Sequence, residues 1–391
     1  MKIALVLAQP PSYSETFFNN KIKGLQQKGH EVILFTGPSR VKYKNCLHKE
    51  SPPISKFFLL QFFSICIVFI RLLPYFKVVN RFFKLEKLDG SSTKVILKKI
   101  YLNAHLLTFK GDWVHFGFGT LALERELIPK SIGASMAVSF RGFDIGIYPL
   151  KHPNCYQKLW KHVSRIHVIS NDIKQLLYAN GFNDQASVIK ITPAIDNQYF
   201  NTDRFNDFST PIQLLTVARL HWKKGLVKTL EALALLKKRG IKFQYTLVGE
   251  GDEKEHLMYV VNQLNLQEDV TFSGKLASKD VKTIMQTANI YIQYSVQEGF
   301  CNAVLEAQSM GLLCVVSDAE GLSENVKDNF SGWVVARGQS KLLADKLLEV
   351  VSLSSEERLR ISENAVNRVK DHFNLNIQQQ AFHDFYTKKQ E

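Results

Sequence analysis

Short apolar runs alternate with helical stretches along all 391 residues, and the pattern occurs twice. In the first half, the runs KIALVLA, HEVILFTG, DWVHFGF, SMAVSFRG, RIHVIS and ASVIKIT are typical of short buried strands. In the second half, the runs QLLTVARL, FQYTLVG, VTFSG, NIYIQYS, LLCVVSD and GWVVA repeat the pattern. Strands that alternate with helices form parallel sheets covered on both faces. The sequence therefore predicts an α/β protein with two doubly wound domains.

The break between the two series predicts the domain boundaries. Residues 196–211 contain Asp, Asn, Ser and Pro with little apolar periodicity, which is typical of a linker. We expect one domain over 1–200, a second over 201–372, and a C-terminal helix over 373–391 that packs back toward the first domain. Ligands of doubly wound proteins bind at the carboxyl ends of the strands, so a site is expected in the cleft between the domains.

Residues 54–84 depart from this pattern, because they are unusually rich in aromatic and basic side chains. The longest charge-free run, 57–70, is shorter than the ~20 residues that a membrane span requires. Such a composition is typical of helices that lie on an anionic membrane or line an apolar acceptor groove, although a buried helical pair is an alternative. The basic residues that flank or interrupt the run are Lys56, Arg71, Lys77, Arg81 and Lys84.

The positive charge is concentrated in the first half. Residues 1–200 contain 27 Lys and Arg against 12 Asp and Glu, a net +15, whereas residues 201–391 contain 23 against 24, a net −1. Such a field suits a polyanionic partner, which could be nucleic acid, anionic lipid or a phosphorylated substrate. We expect no nucleic-acid partner, because the chain has no motif that reads a groove.

Cysteine usage and the first residues indicate the compartment. The five cysteines form no CxxC pair and no Cys/His cluster, which disfavours disulfides and a zinc site and fits a reducing compartment. The opening MKIALVLAQPP is too short for a signal peptide and has no small-residue cleavage site, so we interpret it as a first strand. We expect the protein in the cytoplasm.

The segment EGFCNAVLEA carries two carboxylates, Glu298 and Glu306, around the start of a predicted helix over 301–310. The start of this helix exposes free N–H groups and the positive end of the helix dipole, which favour a phosphate. An ionised Glu306 could accept two hydrogen bonds from a vicinal diol such as a ribose. Glu298, on the preceding turn, could then reach the group beyond the phosphates. Two solvated acids on a helix are the alternative.

Two further strand ends carry residues suited to a nucleoside diphosphate. The run QLLTVAR ends at Arg219 and is followed by Lys223, Lys224 and a glycine, and such basic side chains can stabilise charge on a departing phosphate. The run LVGEGDE contains Gly249, which lets the backbone approach a ligand closely. Together these loops predict a nucleoside diphosphate site.

These motifs resemble the donor domain of retaining glycosyltransferase family 4, which carries R-L-x3-K-G, V-G-x-G and E-x7-E in this order. The chain has ARLHWKKG, LVGEG and EGFCNAVLEAQSMG, and then SDAEGLSENV where the family tends to have a Gly-x-x-Glu segment. The first half is similar, through PPSYSETFF, DWVHFGFG and SFRGFDI, to family members that build bacterial exopolysaccharide, capsule and lipopolysaccharide.

The resemblance implies the GT-B fold, a nucleoside-diphosphate-sugar donor, retained anomeric configuration, and neither catalytic metal nor cofactor. Arg219 and Lys224 would bind the diphosphate and stabilise the leaving nucleotide, Glu298 would hold hydroxyls of the donor sugar, and Glu306 would bind the ribose. No nucleophile stands out, and the family mechanism implies retention by front-face departure, with the leaving phosphate taking the acceptor proton. Further donor contacts are implied for Gly249, Lys275, Leu276, Phe300, Cys301 and Asn302.

The first half departs from the family pattern at one position, which the resemblance places near the donor sugar. Family members often have histidine in T-F-H-G-x-D, whereas this chain has Arg141 in SFRGFDI. Arg141 could bind sugar or phosphate, while Asp144 could bind a ligand or cap a helix, and His115 could approach the acceptor or be a satisfied buried histidine. Residues expected at the mouth of the cleft are Ser14, Glu15 and Thr16, although Ser and Glu there could equally cap a helix.

The sequence thus predicts a glycosyltransferase that acts on a glycan or lipid-linked acceptor in cell-surface polysaccharide biosynthesis, peripheral at the inner face of the cell membrane. A nucleotide-sugar 2-epimerase shares the fold class but would lack R-L-x3-K-G with E-x7-E. A non-catalytic paralogue that binds nucleotide-sugar or lipid is the other alternative, and donor hydrolysis would distinguish it from an enzyme.

Overall fold

The computed structural model describes residues 1–11, 16–202 and 207–388. The chain forms two compact units, one of Met1–Ile191 with Gln379–Glu391 and the other of Thr192–Gln378. The division falls between Ile191 and Thr192, whereas the sequence pattern places the linker at 196–211. Each unit is built on one parallel sheet.

The sheet of the first unit has seven strands in the order β3-β2-β1-β4-β5-β6-β7, and every neighbouring pair is parallel. The sequence pattern does not reveal β3, because LHKE is a partly exposed edge strand with no apolar run. The strands are β1 (Lys2–Val6), β2 (Glu31–Thr36), β3 (Leu47–Glu50), β4 (Trp113–Phe116), β5 (Ser135–Phe140), β6 (Arg165–Val168) and β7 (Ser187–Lys190).

Helices join these strands and cover the sheet. They are α1 (Thr16–Gln27), α2 (Phe58–Leu72), α3 (Phe76–Leu88), α4 (Thr93–Leu102), α5 (Ala104–Leu107), α6 (Gly119–Ala122), α7 (Ile128–Ile132), α8 (Tyr148–Lys151), α9 (Gln157–Trp160) and α10 (Asn171–Ala179). A 3-10 turn over Leu73–Tyr75 separates α2 from α3, and a π-helical turn spans Phe143–Ile147.

The sheet of the second unit has six parallel strands in the order β10-β9-β8-β11-β12-β13. The order reverses between β8 and β11, which is the topological switch point where doubly wound domains bind ligands. The strands are β8 (Ile212–Val217), β9 (Phe243–Val248), β10 (Val270–Gly274), β11 (Ile290–Gln293), β12 (Leu313–Ser317) and β13 (Trp333–Val335). The two sheets confirm the predicted α/β class with two Rossmann-like domains.

The helices that follow β8 in the chain end with one over Leu375–Thr387, most of which belongs to the first unit. They are α11 (Leu226–Lys238), α12 (Lys254–Gln263), α13 (Ser278–Thr287), α14 (Asn302–Ser309), α15 (Leu322–Asn325), α16 (Ser340–Ser352), α17 (Ser355–His372) and α18 (Leu375–Thr387), with a 3-10 turn over Trp222–Lys224. Phe382, Phe385 and Tyr386 of α18 pack in the core of the first unit with Ile3 and Leu5 of β1.

Helices α2 and α3 carry apolar side chains that are exposed rather than buried. Within α2 only Val68 and Leu72 are buried, whereas Phe58 is 81% exposed and Phe63 is 61% exposed. The run Phe58–Leu88 is long and apolar enough to cross a membrane by length and composition, and 11% of its most apolar window is buried. The alternative of a buried helical pair is therefore wrong for α2.

Candidate active site

The loops after β8, β9 and β10 are joined by main-chain hydrogen bonds at one edge of the second sheet. The N–H of Gly249 donates to the carbonyl of Gly274 at 2.8 Å, and the N–H of Leu220 donates to the carbonyl of Glu250 at 2.9 Å. These bonds place the ARLHWKKG and LVGEG motifs and the loop that carries Lys275 and Leu276 side by side. In that last loop Lys275 is exposed.

The loops after β11 and β12 join the same edge across the switch point. The N–H of Val296 donates to the carbonyl of Lys223 at 2.7 Å, and the N–H of Gly321 donates to the carbonyl of Glu298 at 3.0 Å. The structure thus brings the three donor motifs together.

Two of these loops approach so closely that only glycine fits. Gly249 has φ +142°, and a Cβ there would lie 1.8 Å from the carbonyl oxygen of Ala218. Gly225 has φ +60°, and a Cβ there would lie 2.1 Å from the carbonyl oxygen of Tyr294. Since side chains are excluded at both positions, these loops pack main chain against main chain there.

Lys224 and Glu298 form an ion pair at the switch point. Both side chains are largely buried, at 17% and 14% exposure. Burial lowers the pKa of Lys224, but the Glu298 carboxylate outweighs it and leaves that pKa raised, so the ammonium stays charged. Burial and the charge of Arg219 lower the pKa of neighbouring Lys223. Three cations thus meet here beside the carboxylates of Glu298 and Glu320, and this excess of positive charge favours an anionic ligand.

Glu306 lies in α14, eight residues after Glu298 in the sequence. Burial raises the pKa of its carboxyl to about 7. The pKa of a solvated acid would not be raised in this way. A carboxyl with a strongly shifted pKa, in a cluster of loops at the end of a sheet, is typical of a functional site.

The N-terminus of α14 is held by a residue that sequence reasoning missed. The N–H of Cys301 donates to Oδ1 of Asn325 at 3.0 Å, and Nδ2 of Asn325 donates to the carbonyl of Cys301 at 3.0 Å. Phe300 and Cys301 are buried. The Cys301 N–H is thus bonded within the protein, and the donor contact predicted for Cys301 stays a prediction. Asn302 is the first residue of α14.

Glu320, after β12, is a second residue that sequence reasoning missed. Its Oε2 accepts a hydrogen bond from the N–H of Glu298 at 2.6 Å. The two residues are 22 positions apart in sequence. The sequence offers one signal for Glu320. It precedes a glycine in SDAEGLSENV, the segment that stands where the family tends to have Gly-x-x-Glu.

In the first unit, Arg141 and Asp144 share the turn after β5. Oδ1 of Asp144 accepts from the N–H groups of Arg141 and Gly142 at 2.9 and 3.0 Å, and Oδ2 accepts from the N–H of Gly119 at 2.9 Å. Asp144 is 1% exposed, so it holds backbone and has little surface for a ligand. The Arg141 guanidinium stacks 3.7 Å from the ring centroid of Phe17.

His115, on β4, has no exposed surface. Its ring lies 2.7 Å from Oγ of Ser139 and 3.3 Å from Nζ of Lys21, and the Tyr386 hydroxyl contacts its Nδ1 at 2.5 Å. Burial, with the charge of Lys21 next, lowers the pKa of His115 well below its usual range. Its position supports the satisfied buried histidine and not contact with an acceptor.

The predicted cleft-mouth residues are only partly described. Ser14 and Glu15 lie outside the described residues, and Thr16 begins α1. Within the described ranges, no group of three or more His, Cys, Asp or Glu side chains could hold a metal ion.

Two Rossmann-like units, with a cationic edge at the switch point of the second, are features of GT-B glycosyltransferases. The sequence model of the family described as glycosyl transferases group 1 matches residues 167–368, more than half of the chain. The chain belongs to this family, which confirms the resemblance found in its motifs.

The similarity to relatives of comparable length extends over most of the chain. The amylovoran biosynthesis glycosyltransferase AmsK of Erwinia amylovora is 30% identical over 308 residues, which are 75% of this chain and 74% of AmsK. The putative colanic acid biosynthesis glycosyltransferase WcaL of Escherichia coli is 27% identical over 404 aligned positions, covering 96% of this chain and 97% of WcaL. The structure of Anabaena Alr3699/HepE in complex with UDP and glucose superposes with a TM-score of 0.69 at 16% identity, covering 98% of each chain.

Proposed function

We propose that the protein transfers a sugar, with retained configuration, from a nucleoside-diphosphate-sugar to a glycan or lipid-linked acceptor in cell-surface polysaccharide biosynthesis. The observation that carries this proposal is the Lys224–Glu298 pair at the switch point of the second sheet, with Arg219 beside it. The names of AmsK and WcaL support the polysaccharide pathway.

Each residue of the cluster has a chemical task in this reaction. Arg219 and Lys224 would neutralise the diphosphate as the glycosidic bond breaks, since fixed cations stabilise charge on a leaving group without reorganisation. Glu298 would orient the sugar through its hydroxyls. Glu306 would accept the ribose hydroxyls, for which it must be ionised. Because these side chains supply the charge, no metal ion is required.

A further contact is proposed from the first unit. Arg141 would bind the donor sugar or a phosphate of the acceptor, since its guanidinium is stacked on Phe17 and carries several donors. Arg141→His is expected to change the choice of sugar or acceptor more than the melting temperature. Wild-type kinetics on every donor and acceptor tested would place Arg141 outside the site.

A panel of nucleotide-sugars tests the proposed reaction. Release of nucleoside diphosphate is measured with UDP- and GDP-sugars, with and without lipid-linked acceptor, in the presence and absence of EDTA. We expect one donor of the panel to be turned over, at a rate that EDTA does not change. If the donor's glycosidic bond is axial, NMR should show an axial linkage in the product. Binding of a donor without turnover or hydrolysis would identify a non-catalytic paralogue instead.

We also place the protein at the inner face of an anionic membrane, held by α2 and α3. The exposed side chains of α2 include Phe58, Phe62 and Phe63, and their burial in lipid is favourable. A cavity of about 270 Å³ between α2, α3 and α4 is lined by Phe69, Leu72, Leu73, Phe76, Val79, Asn80, Phe83, Leu97 and Ile100. Lys56, Arg71, Lys77, Arg81 and Lys84 are all exposed on the same segment.

Vesicle sedimentation tests the membrane contact. The protein should sediment with vesicles that contain anionic lipid and much less with neutral ones, and high salt should weaken binding, because each Lys or Arg near an anionic surface contributes about 1 kcal/mol that salt screens. Phe58→Glu with Phe62→Glu should also weaken it.

The matched control replaces two exposed apolar residues of the second unit. Met258 and Tyr259 in α12 are 52% and 64% exposed, and Met258→Glu with Tyr259→Glu should leave sedimentation unchanged. Equal recovery of wild type in the supernatant under every condition would refute the membrane contact.

A further inference from the structure

We propose that Glu320 is a positioning residue for the transfer reaction, which fixes the turn that carries Glu298. This inference rests on the proposed function, because it assigns Glu320 a role through Glu298. It concerns only the second unit.

The turn before α14 is bonded on both sides of Glu298. Oε2 of Glu320 accepts from the N–H of Glu298 at 2.6 Å, and the N–H of Gly321 donates to the carbonyl of Glu298 at 3.0 Å. Gly321 has no space for a side chain, because a Cβ would lie 1.9 Å from the carbonyl oxygen of Gly299. Both main-chain groups of Glu298 are therefore satisfied by two consecutive residues of the loop after β12.

Arg337 attaches the same loop to the start of the turn. Its Nη1 donates to the carbonyl of Val296 at 3.0 Å and lies 3.4 Å from Oε1 of Glu320. The two carboxylate oxygens of Glu320 thus have separate tasks. One holds Glu298 and the other pairs with the arginine that holds Val296.

The backbone of Glu320 indicates that this carboxylate has a function. Glu320 has φ +30°, which side chains rarely adopt and glycine adopts readily. A residue with a strained backbone persists where the contacts around it hold it in place, and such residues cluster at functional sites. At this position glycine would relieve the strain, but it would leave the Glu298 N–H without the carboxylate.

The consequence for the reaction follows from the Lys224–Glu298 pair. The Glu298 side chain extends from a turn whose two ends are set by Glu320 and Arg337, so its position relative to Lys224 depends on that turn. A misplaced group at the reacting centre affects the transition state more than the binding of the nucleotide. Loss of the Glu320 carboxylate should therefore lower kcat and leave nucleotide affinity largely unchanged.

The test uses Glu320→Gly and Glu320→Gln in the full chain. With the donor of the panel that is turned over fastest, Glu320→Gly should lower kcat about 10- to 100-fold, while the Kd of the corresponding nucleoside diphosphate stays within about threefold. Glu320→Gln keeps one acceptor oxygen and should recover part of kcat. Without any ligand, hydrogen exchange over residues 296–300 should be faster in Glu320→Gly than in wild type.

Asn265→Gly is the matched control, because Asn265 also has a positive φ of 55° in the second unit. It should change neither kcat nor exchange over 296–300. Unchanged kcat in Glu320→Gly, parallel loss of kcat and nucleotide affinity, or unchanged exchange over 296–300 would each overturn the role of Glu320. Glu298→Gln, measured in the same assays, distinguishes failure of the Glu320 role from failure of the proposed function. Wild-type kcat in Glu298→Gln would contradict the proposed function itself.

Discussion

Glu298→Gln is expected to lower kcat by about 100-fold or more with a smaller change in the donor KM. Glu298 is largely buried and pairs with Lys224, so a neutral amide changes both the charge and the geometry at the switch point. If Glu298 orients the sugar as the glycosidic bond breaks, its contribution is larger in the transition state than in the bound donor. Steady-state kinetics, with donor affinity measured separately by calorimetry, give this split.

The control for Glu298 is an exposed glutamate that also forms an ion pair. Glu349 pairs with Lys346 at 2.6 Å in α16 and is 53% exposed, and Glu349→Gln should leave kcat unchanged, since exposed ion pairs contribute little. If Glu298 were simply a solvated acid on a turn, its variant would behave like Glu349→Gln. Equal kcat values for both variants would remove Glu298 from the site.

Glu306→Gln is expected to change stability and donor affinity in opposite directions. Burial raises the pKa of Glu306 to about 7, above the ~4.3 of an unfolded chain. The folded state therefore holds the proton more tightly, so the free energy of unfolding decreases as the pH rises from about 4 to about 7. Glutamine carries no charge, so at pH 8 Glu306→Gln should be more stable than wild type by up to about 3 kcal/mol. At pH 5 the difference should be small.

The same substitution should weaken donor binding. In wild type the ionised carboxylate would accept hydrogen bonds from two ribose hydroxyls, and the neutral amide of glutamine removes this charged acceptor. A hydrogen bond to a charged group contributes about 1.5–3 kcal/mol. The donor KM of Glu306→Gln should therefore rise about 10-fold or more at pH 8. In wild type the donor KM should rise as the pH falls below about 7, whereas the variant should show no such dependence in this range.

Thermal unfolding and donor kinetics at pH 5 to 8 measure both effects. Glu363 is exposed on α17, and Glu363→Gln serves as the control that should alter neither. An unchanged donor KM in Glu306→Gln, or a lower melting temperature at pH 8, would show that Glu306 is not a buried ribose ligand.

Much of the fold follows from the sequence because its signal is local. Apolar runs bounded by turns predict buried parallel strands, and the two series confirm this for both sheets. The edge strand β3 escapes such reasoning, because LHKE has the composition of a loop. The exposure of α2 cannot be read from composition either, since an apolar helix is as compatible with a core as with a lipid surface.

The site is predicted only where the motif residues themselves carry the chemistry. Arg219, Lys224 and Glu298 stand in motifs at strand ends, and the parallel sheet brings these ends together. Asn325 and Glu320 act through main-chain groups of residues more than 20 positions away. Such contacts leave no periodic signal in a single sequence. His115 was ambiguous for the same reason, because its partners Lys21 and Tyr386 come from distant helices.

The most direct test of the donor site is the hydrogen-exchange footprint of the bound donor on the whole chain. We expect the nucleotide-sugar selected from the panel to slow exchange in the loops after β8, β9, β10 and β11, at residues 219–225, 249–251, 274–276 and 298–306. Protection confined to other parts of the chain, under conditions where calorimetry shows the donor bound, would contradict the proposed donor site.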